Sequence, residues 1–163
     1  MKTTATSITV GRRLRSAAGA LALGLAAVGA SVTVAAPATA ADCTGSLTVY
    51  GKNSTGELPV YYSTASGGTN CAKMTHLGST YGVSSQTSVG IVKCTQTSMS
   101  ASCTVSGTWA TDSGSYAYYA GPVTRTSTNG KCVAARGKHA GLDWSTRVNG
   151  AGSYNSPAAV SCG

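Results

Sequence analysis

Apolar side chains are distributed in two ways along this 163-residue chain. An uncharged stretch rich in Ala, Gly, Leu and Val runs from about Ala17 to Val34. After Asp42, apolar residues come instead in short runs separated by Ser, Thr and Gly, and several runs alternate apolar with polar positions. A period of two is typical of half-buried strands, and no helix-length amphipathic pattern occurs after Asp42. The pattern therefore predicts an all-β domain behind an apolar leader.

Nine short segments are predicted as strands, at residues 47–50, 59–63, 71–75, 89–94, 103–106, 116–120, 123–126, 132–135 and 158–162. Turn-forming pairs lie between them, at Gly67-Gly68, Ser113-Gly114, Gly121-Pro122, Asn129-Gly130 and Asn149-Gly150. Asn-Gly favours two-residue hairpins because both residues readily adopt positive φ, so we expect a hairpin at Asn129-Gly130. Regularly spaced short strands indicate a single antiparallel sandwich or barrel, and the pattern leaves these two open.

Residues 1–40 have the features of a cleavable signal peptide. The apolar stretch follows a basic region and ends in the small-residue triplet Ala38-Thr39-Ala40, which suits signal peptidase. We predict cleavage after Ala40, leaving residues 41–163 as one secreted β domain. A retained membrane anchor is the alternative, because the uncharged stretch could span a bilayer. The pair Arg12-Arg13 leaves the general secretory and twin-arginine export routes open.

The six cysteines all follow the predicted cleavage site. An even number behind a signal peptide predicts three disulfides in a small extracellular domain. Zinc binding is disfavoured, because there is no Cys-x-x-Cys spacing and the two histidines are isolated. We expect neighbours in sequence to pair, the middle bridge closing a hairpin, although the sequence does not exclude other pairings. The expected bridges are Cys43–Cys71, Cys94–Cys103 and Cys132–Cys162.

Charge narrows the class of partner. The chain carries a net charge of +8, but four of its basic residues lie in the predicted signal peptide, so eight cations and four carboxylates leave the domain at +4. These cations are scattered, with a loose cluster at residues 125–147. Nucleic-acid binders concentrate Lys and Arg on one face with interleaved aromatics, so no nucleic-acid partner is expected. An anionic cell wall or glycan remains compatible with this charge.

Candidate catalytic residues are few. The string 111–115 overlaps the loop around a trypsin-like serine nucleophile, but the flanking glycines are missing and neither His76 nor His139 has triad context. We predict that Asp112-Ser113-Gly114 is a turn and that both histidines lie at the surface or in turns. No carboxylate pair indicates a glycosidase, and no His-Glu-x-x-His motif indicates a metal site. We therefore predict no catalytic residue, metal or cofactor.

One block of residues is more specific. Asp112-Ser113-Gly114-x-Tyr116-x-x-Tyr119-Ala120-Gly121-Pro122-Val123 is followed by Gly130-Lys131-Cys132-Val133 and by a near-terminal Cys162. This block resembles the spore-associated protein A family of filamentous actinomycetes, most strongly over residues 112–133. The resemblance implies a small secreted protein of spores or aerial growth with no known catalytic activity. The chain departs from that family where Ala134-Ala135-Arg136 replaces a Trp that members tend to carry, and in the additional Cys94 and Cys103.

The expected function is a small secreted non-enzymatic protein associated with the spore or cell surface. The alternatives are an inhibitor or a glycan- or protein-binding module, with residues 96–101 as the presented loop, and a small hydrolase. Neither an integral membrane anchor nor a lipid-attachment cysteine is expected, so retention on a surface would be non-covalent. We expect aromatic and hydrogen-bonding contacts to contribute more to it than charge. The sequence does not predict an oligomeric state. The candidate surface-binding residues are Tyr116, Tyr118, Tyr119, Arg136 and Lys138.

Overall fold

The computed structural model describes residues 42–152 and 157–163, and the predicted signal peptide and its alternative as a membrane anchor lie outside these residues. The strands are β1 Ser46–Val49, β2 Gly56–Glu57, β3 Val60–Ser63, β4 Thr69–His76, β5 Ser85–Cys94, β6 Val105–Tyr116, β7 Tyr119–Thr126, β8 Val133–His139, β9 Leu142–Arg147 and β10 Gly150–Gly152. One turn of 3₁₀ helix, Gly78–Thr80, is the sole helical element in these ranges. None of the described residues forms a helix able to cross a bilayer.

The strands form two antiparallel five-stranded sheets. In sheet I the order is β1-β3-β4, and β4 also pairs with both β2 and β7; in sheet II the order is β10-β9-β8-β5-β6. The antiparallel β-structure curls in the manner of a half-barrel. The prediction of a single, disulfide-stabilised all-β domain is confirmed.

One hydrophobic core lies between the sheets. Sheet I contributes Val60 and Met74, and sheet II contributes Ile91 and Trp144, all almost completely buried. A smaller cluster formed by Val92, Cys94, Cys132, Ala134 and Ala159 lies apart from this core. Because side chains alternate along β8, Ala134 of the smaller cluster faces away from the core residues on either side of it. Sheet II is therefore covered on part of its outer face too.

The three disulfides are the predicted ones: Cys43–Cys71, Cys94–Cys103 and Cys132–Cys162. They join residues 28, 9 and 30 positions apart. The first ties the start of the described chain to β4, the second closes the β5–β6 connection, and the third attaches the C-terminal residues beside β8. Chain-entropy arguments assign roughly 2.6 kcal/mol to the shortest of these loops and about 3.6 kcal/mol to each of the others.

The predicted hairpin at Asn129-Gly130 is wrong. Strand β7 pairs with β4 in sheet I, whereas β8 pairs with β5 and β9 in sheet II, so the turn carries the chain from one sheet to the other. The backbone N–H groups of Thr128 and Asn129 donate to the carbonyl oxygens of Gly68 and Gly67, at 3.1 and 2.9 Å. These contacts with the β3–β4 turn, which is remote in sequence, fix the position of the connection between β7 and β8.

Two other local predictions are wrong. Asp112-Ser113-Gly114 is part of β6, not a turn, because Ser113 and Gly114 pair with Ser88 and Thr87 of β5. Residues 116–120 do not form one strand, since the chain leaves sheet II after Tyr116 and enters sheet I at Tyr119.

Candidate functional site

The outer face of sheet II carries two rows of polar residues. Paired positions on adjacent strands share a face of the sheet, which fixes the members of each row. One row runs from β9 to β6 through Ser145, Arg136, Gly90 and Thr111, and the next through Asp143, Lys138, Ser88 and Ser113. Apart from the buried Ser145, these residues line a depression of about 320 Å³, which we call the outer groove.

Trp109 holds the Arg136 side chain over the sheet. The guanidinium carbon lies 4.2 Å from the centroid of the indole, a cation–π contact. Gly90 makes room for the indole, because a Cβ at this position would lie 3.2 Å from Cε3 of Trp109. A stacked guanidinium still presents N–H groups along its edge, and their spacing matches the oxygens of a carboxylate or phosphate. The groove therefore contains one oriented cation.

Lys138 supplies a second cation to the outer groove. It lies two residues beyond Arg136 on β8, which places the two Cα atoms about 6.7 Å apart along the strand. Asp143 pairs across from Lys138 in the register, but no ion pair joins these two side chains. Both groove cations are solvent-exposed, so they are available to an anion.

A second depression of about 320 Å³ lies between β6 and β7, and we call it the β6–β7 cleft. Its cations are Lys93 and Arg125, and one Nη atom of Arg125 donates to the carbonyl oxygen of Thr108. No carboxylate lines it. Since β6 is the edge strand of sheet II, both depressions border the same edge. The other residues that line the cleft are Ser106, Gly107, Thr108, Thr124 and Thr126.

The candidate tyrosines do not join these cations in one surface. The hydroxyl of Tyr116 donates to Oδ1 of Asp112 at 2.6 Å, and this hydrogen bond, with burial, raises the pKa of Tyr116. Tyr119 is half-buried, and Nζ of Lys73 lies 5.4 Å from its ring centroid. Tyr118 alone is exposed, and its ring packs edge-on against Tyr81 at 5.0 Å. All three tyrosines thus make intramolecular contacts, and only Tyr118 is also exposed.

The serine nucleophile considered from the sequence has no histidine beside it. Ser113 is exposed in the outer groove, and no hydrogen bond links it to His76 or His139 in the described part of the chain. The carboxylate of Asp112 is occupied, because its Oδ2 accepts the backbone N–H of Gly121 at 2.6 Å. Among residues 42–152 and 157–163, no group of three or more His, Cys, Asp or Glu side chains could hold a metal ion.

The prediction that the histidines lie at the surface is wrong. His76 and His139 have 0% exposure, and their rings stack with centroids 3.9 Å apart. They are the last residues of β4 and β8, so the pair joins sheet I to sheet II. Sequence reasoning missed this cluster because the two residues are 63 positions apart and each is surrounded by ordinary polar neighbours.

No protein-family model, curated protein or solved structure matches the chain. The resemblance to spore-associated protein A therefore rests on the residues quoted above.

Proposed function

We propose that this chain is a secreted, non-enzymatic protein that binds an anionic polymer of the spore or cell surface through the outer groove and the β6–β7 cleft. The observation that carries the proposal is the placement of Lys93, Arg125, Arg136 and Lys138, which line two depressions along the edge strand β6. Three disulfides are typical of proteins that work in oxidising compartments.

The side chains suit a polymer that carries both acid and hydroxyl groups. Arg136 offers a fork for a carboxylate or phosphate, and Lys138 offers a point charge. The hydroxyl groups of Ser88, Thr111 and Ser113 can exchange hydrogen bonds with sugar hydroxyls. Each exposed charge contributes little alone, so useful affinity requires several repeats of the polymer to bind together.

Binding to isolated Gram-positive cell walls tests this proposal. The protein comprising residues 41–163 would be sedimented with the walls, with dextran sulfate and neutral dextran as competitors. We expect Arg136→Gln/Lys138→Gln and Lys93→Gln/Arg125→Gln each to weaken binding about tenfold or more, and dextran sulfate alone to compete. Lys52→Gln/Lys131→Gln removes the same charge outside both depressions and should change binding less than about twofold. Equal losses of binding in all three variants would show that binding depends on the net charge alone, and would overturn the proposed site.

A specific feature favours a second candidate function, a secreted inhibitor. Met99 is 60% exposed in the loop that the Cys94–Cys103 bridge closes. The backbone of this loop is fixed, because Ser100 and Ala159 exchange two 3.0 Å hydrogen bonds. A preorganised loop with an exposed apolar side chain suits insertion into a pocket of another protein. A panel of secreted serine proteases assayed with wild type and Met99→Asp would show this function as inhibition that the variant loses.

A further inference from the structure

The His76–His139 pair is enclosed by uncharged groups. Oγ1 of Thr87 lies 2.7 Å from Nε2 of His76 and 3.4 Å from Nδ1 of His139. Thr80 closes the other side, with its carbonyl oxygen 3.3 Å from Nδ1 of His76 and its Oγ1 3.0 Å from Nε2 of His139. Both rings thus have hydrogen-bond partners while neutral, and no solvent reaches them.

No carboxylate faces the pair from the elements packed around it. On β2, Gly56 approaches His139, and Glu57 faces the opposite way, where Oε2 accepts the hydroxyl of Tyr50 at 2.8 Å. Lys138 and Asp143, the charged neighbours on β8 and β9, face the outer groove. Thr87 of β5 and Thr80 of the β4–β5 connection contribute hydroxyl and carbonyl groups only. Among the described residues, His76 is therefore the titratable group that faces His139 at closest range.

This geometry disfavours protonation in the folded state. Burial lowers the pKa of His139, and His76 lowers it further by repulsion, while a hydrogen bond with the Thr55 backbone acts in the opposite direction. In the unfolded chain, a histidine side chain takes up a proton near pH 6.5. A basic group whose pKa is lower in the folded state than in the unfolded state stabilises the fold fully at pH values above its unfolded pKa. This stabilisation is lost as the pH falls below the unfolded pKa.

We propose that the His76–His139 pair is an acid-sensitive joint between the two sheets, and that mild acid opens the 77–83 connection that covers it. Thr80 links this connection to the pair: its single hydroxyl hydrogen is shared between the carbonyl oxygens of Thr55 and Leu77, at 2.7 and 2.8 Å, so its Oγ1 accepts a hydrogen bond from Nε2 of His139 at 3.0 Å. Protonation of His139 removes its acceptor nitrogen, Nδ1, which lies 3.4 Å from Oγ1 of Thr87, and it places a positive charge in a site enclosed by uncharged groups, beside a ring 3.9 Å away. Opening the connection lets water reach both rings.

Hydrogen exchange at pH 7.5 and pH 5.0, corrected for the intrinsic rate, tests this joint. We expect the amides of residues 77–83 to exchange at least about tenfold faster at pH 5.0, and the paired amides of β5 and β6 to change less than about twofold. In His139→Gln, which keeps a hydrogen-bonding side chain without the titration, the acid response of residues 77–83 should fall to less than about threefold. A uniform acceleration in both sheets, no acceleration, or an undiminished response in the variant would overturn the joint.

A measurement on the wild type keeps the test independent of the variant's folding. The ring nitrogen shifts of both histidines would be followed by NMR from pH 7.5 to pH 4.5. Titration of His139 with an ordinary midpoint near pH 6.5, while residues 77–83 stay protected from exchange, would contradict the joint. The expected result is a midpoint below 6.5 for His139, whose pKa burial lowers, that coincides with loss of protection in residues 77–83.

Discussion

The phenolic hydroxyl of Tyr116 donates a 2.6 Å hydrogen bond to Oδ1 of Asp112, four residues earlier on β6. The same carboxylate accepts the N–H of Gly121 in β7, so it fixes both the tyrosine ring and the entry into sheet I. Gly114 lies between them on the same face, and a Cβ there would approach Cζ of Tyr116 to 3.1 Å. Residues 112–121, the first part of the block that resembles a known family, thus form one structural unit.

Substitutions in this unit should lower the free energy of unfolding. Tyr116→Phe should lower it by about 1 kcal/mol, and Asp112→Ala by roughly 2–3 kcal/mol, since the second change leaves two donors unpaired. Denaturant titration measures both values. Ser113→Ala alters an exposed neighbour and should stay within about 0.5 kcal/mol of wild type. Equal effects of Ser113→Ala and Asp112→Ala would contradict the role given to the carboxylate.

Much of the fold follows from the sequence, because strand period and cysteine spacing are local signals. The all-β class, most strand positions and the three bridges were predictable in this way. The path of the chain between the sheets was not predictable. Asn129-Gly130 has the composition of a hairpin turn, but the backbone of Thr128 and Asn129 donates hydrogen bonds to Gly68 and Gly67, which are remote in sequence. Asp112-Ser113-Gly114 resembles a turn for a similar reason, and only the Asp112–Tyr116 contact explains a glycine in this strand.

Part of the candidate site was also predictable. Arg136 and Lys138 were identified from their place in a loose basic cluster, and both line the outer groove. Lys93 lies outside that cluster, so its approach to Arg125 depends on how β5 and β7 are arranged in the fold. The burial of the two histidines depends on sheet packing in the same way, since no sequence pattern links β4 to β8.

A buried network around Asn70 should be essential to stability. Its Nδ2 donates to Oγ1 of Thr128 at 2.9 Å, and its Oδ1 accepts the hydroxyl of Ser161 at 2.6 Å. Asn70→Ala should therefore lower the free energy of unfolding by roughly 2–4 kcal/mol, because it leaves two buried hydroxyl groups without this partner. Thermal and denaturant unfolding measure the loss. The exposed Asn129 is the control, and Asn129→Ala should cost less than about 1 kcal/mol.

The three disulfides should differ in their contribution. Replacing both cysteines of Cys132–Cys162 by alanine should destabilise the protein by about 1 kcal/mol more than the same change at Cys94–Cys103, because the first bridge closes a loop of 30 positions and the second a loop of 9. Unfolding of the two double variants under oxidising conditions gives the comparison. A larger loss at Cys94–Cys103 would show that native packing around that bridge outweighs loop entropy.

Gly90→Ala should weaken binding to cell walls while changing the stability of the protein little. The new Cβ meets Trp109 and Thr111, each at 3.2 Å, so the half-exposed indole has to shift and its stacking with Arg136 weakens. We expect weaker binding to cell walls, altered tryptophan fluorescence and a change in unfolding free energy of about 1 kcal/mol or less. Ser88→Ala, on the same strand and face, should leave the fluorescence unchanged. Wall binding equal to wild type in Gly90→Ala would contradict the need for an oriented Arg136.

The location of polymer binding is measured most directly by NMR. Amide shifts of the ¹⁵N-labelled protein, residues 41–163, would be followed during titration with dextran sulfate, with neutral dextran as the control. We predict that dextran sulfate shifts amides along β5, β6 and β8 that border the outer groove, together with those of Lys93 and Arg125, and that neutral dextran shifts none. Shifts confined to the exposed Tyr81–Tyr118 contact, or the same shifts with neutral dextran, would contradict an anionic ligand at the edge of sheet II.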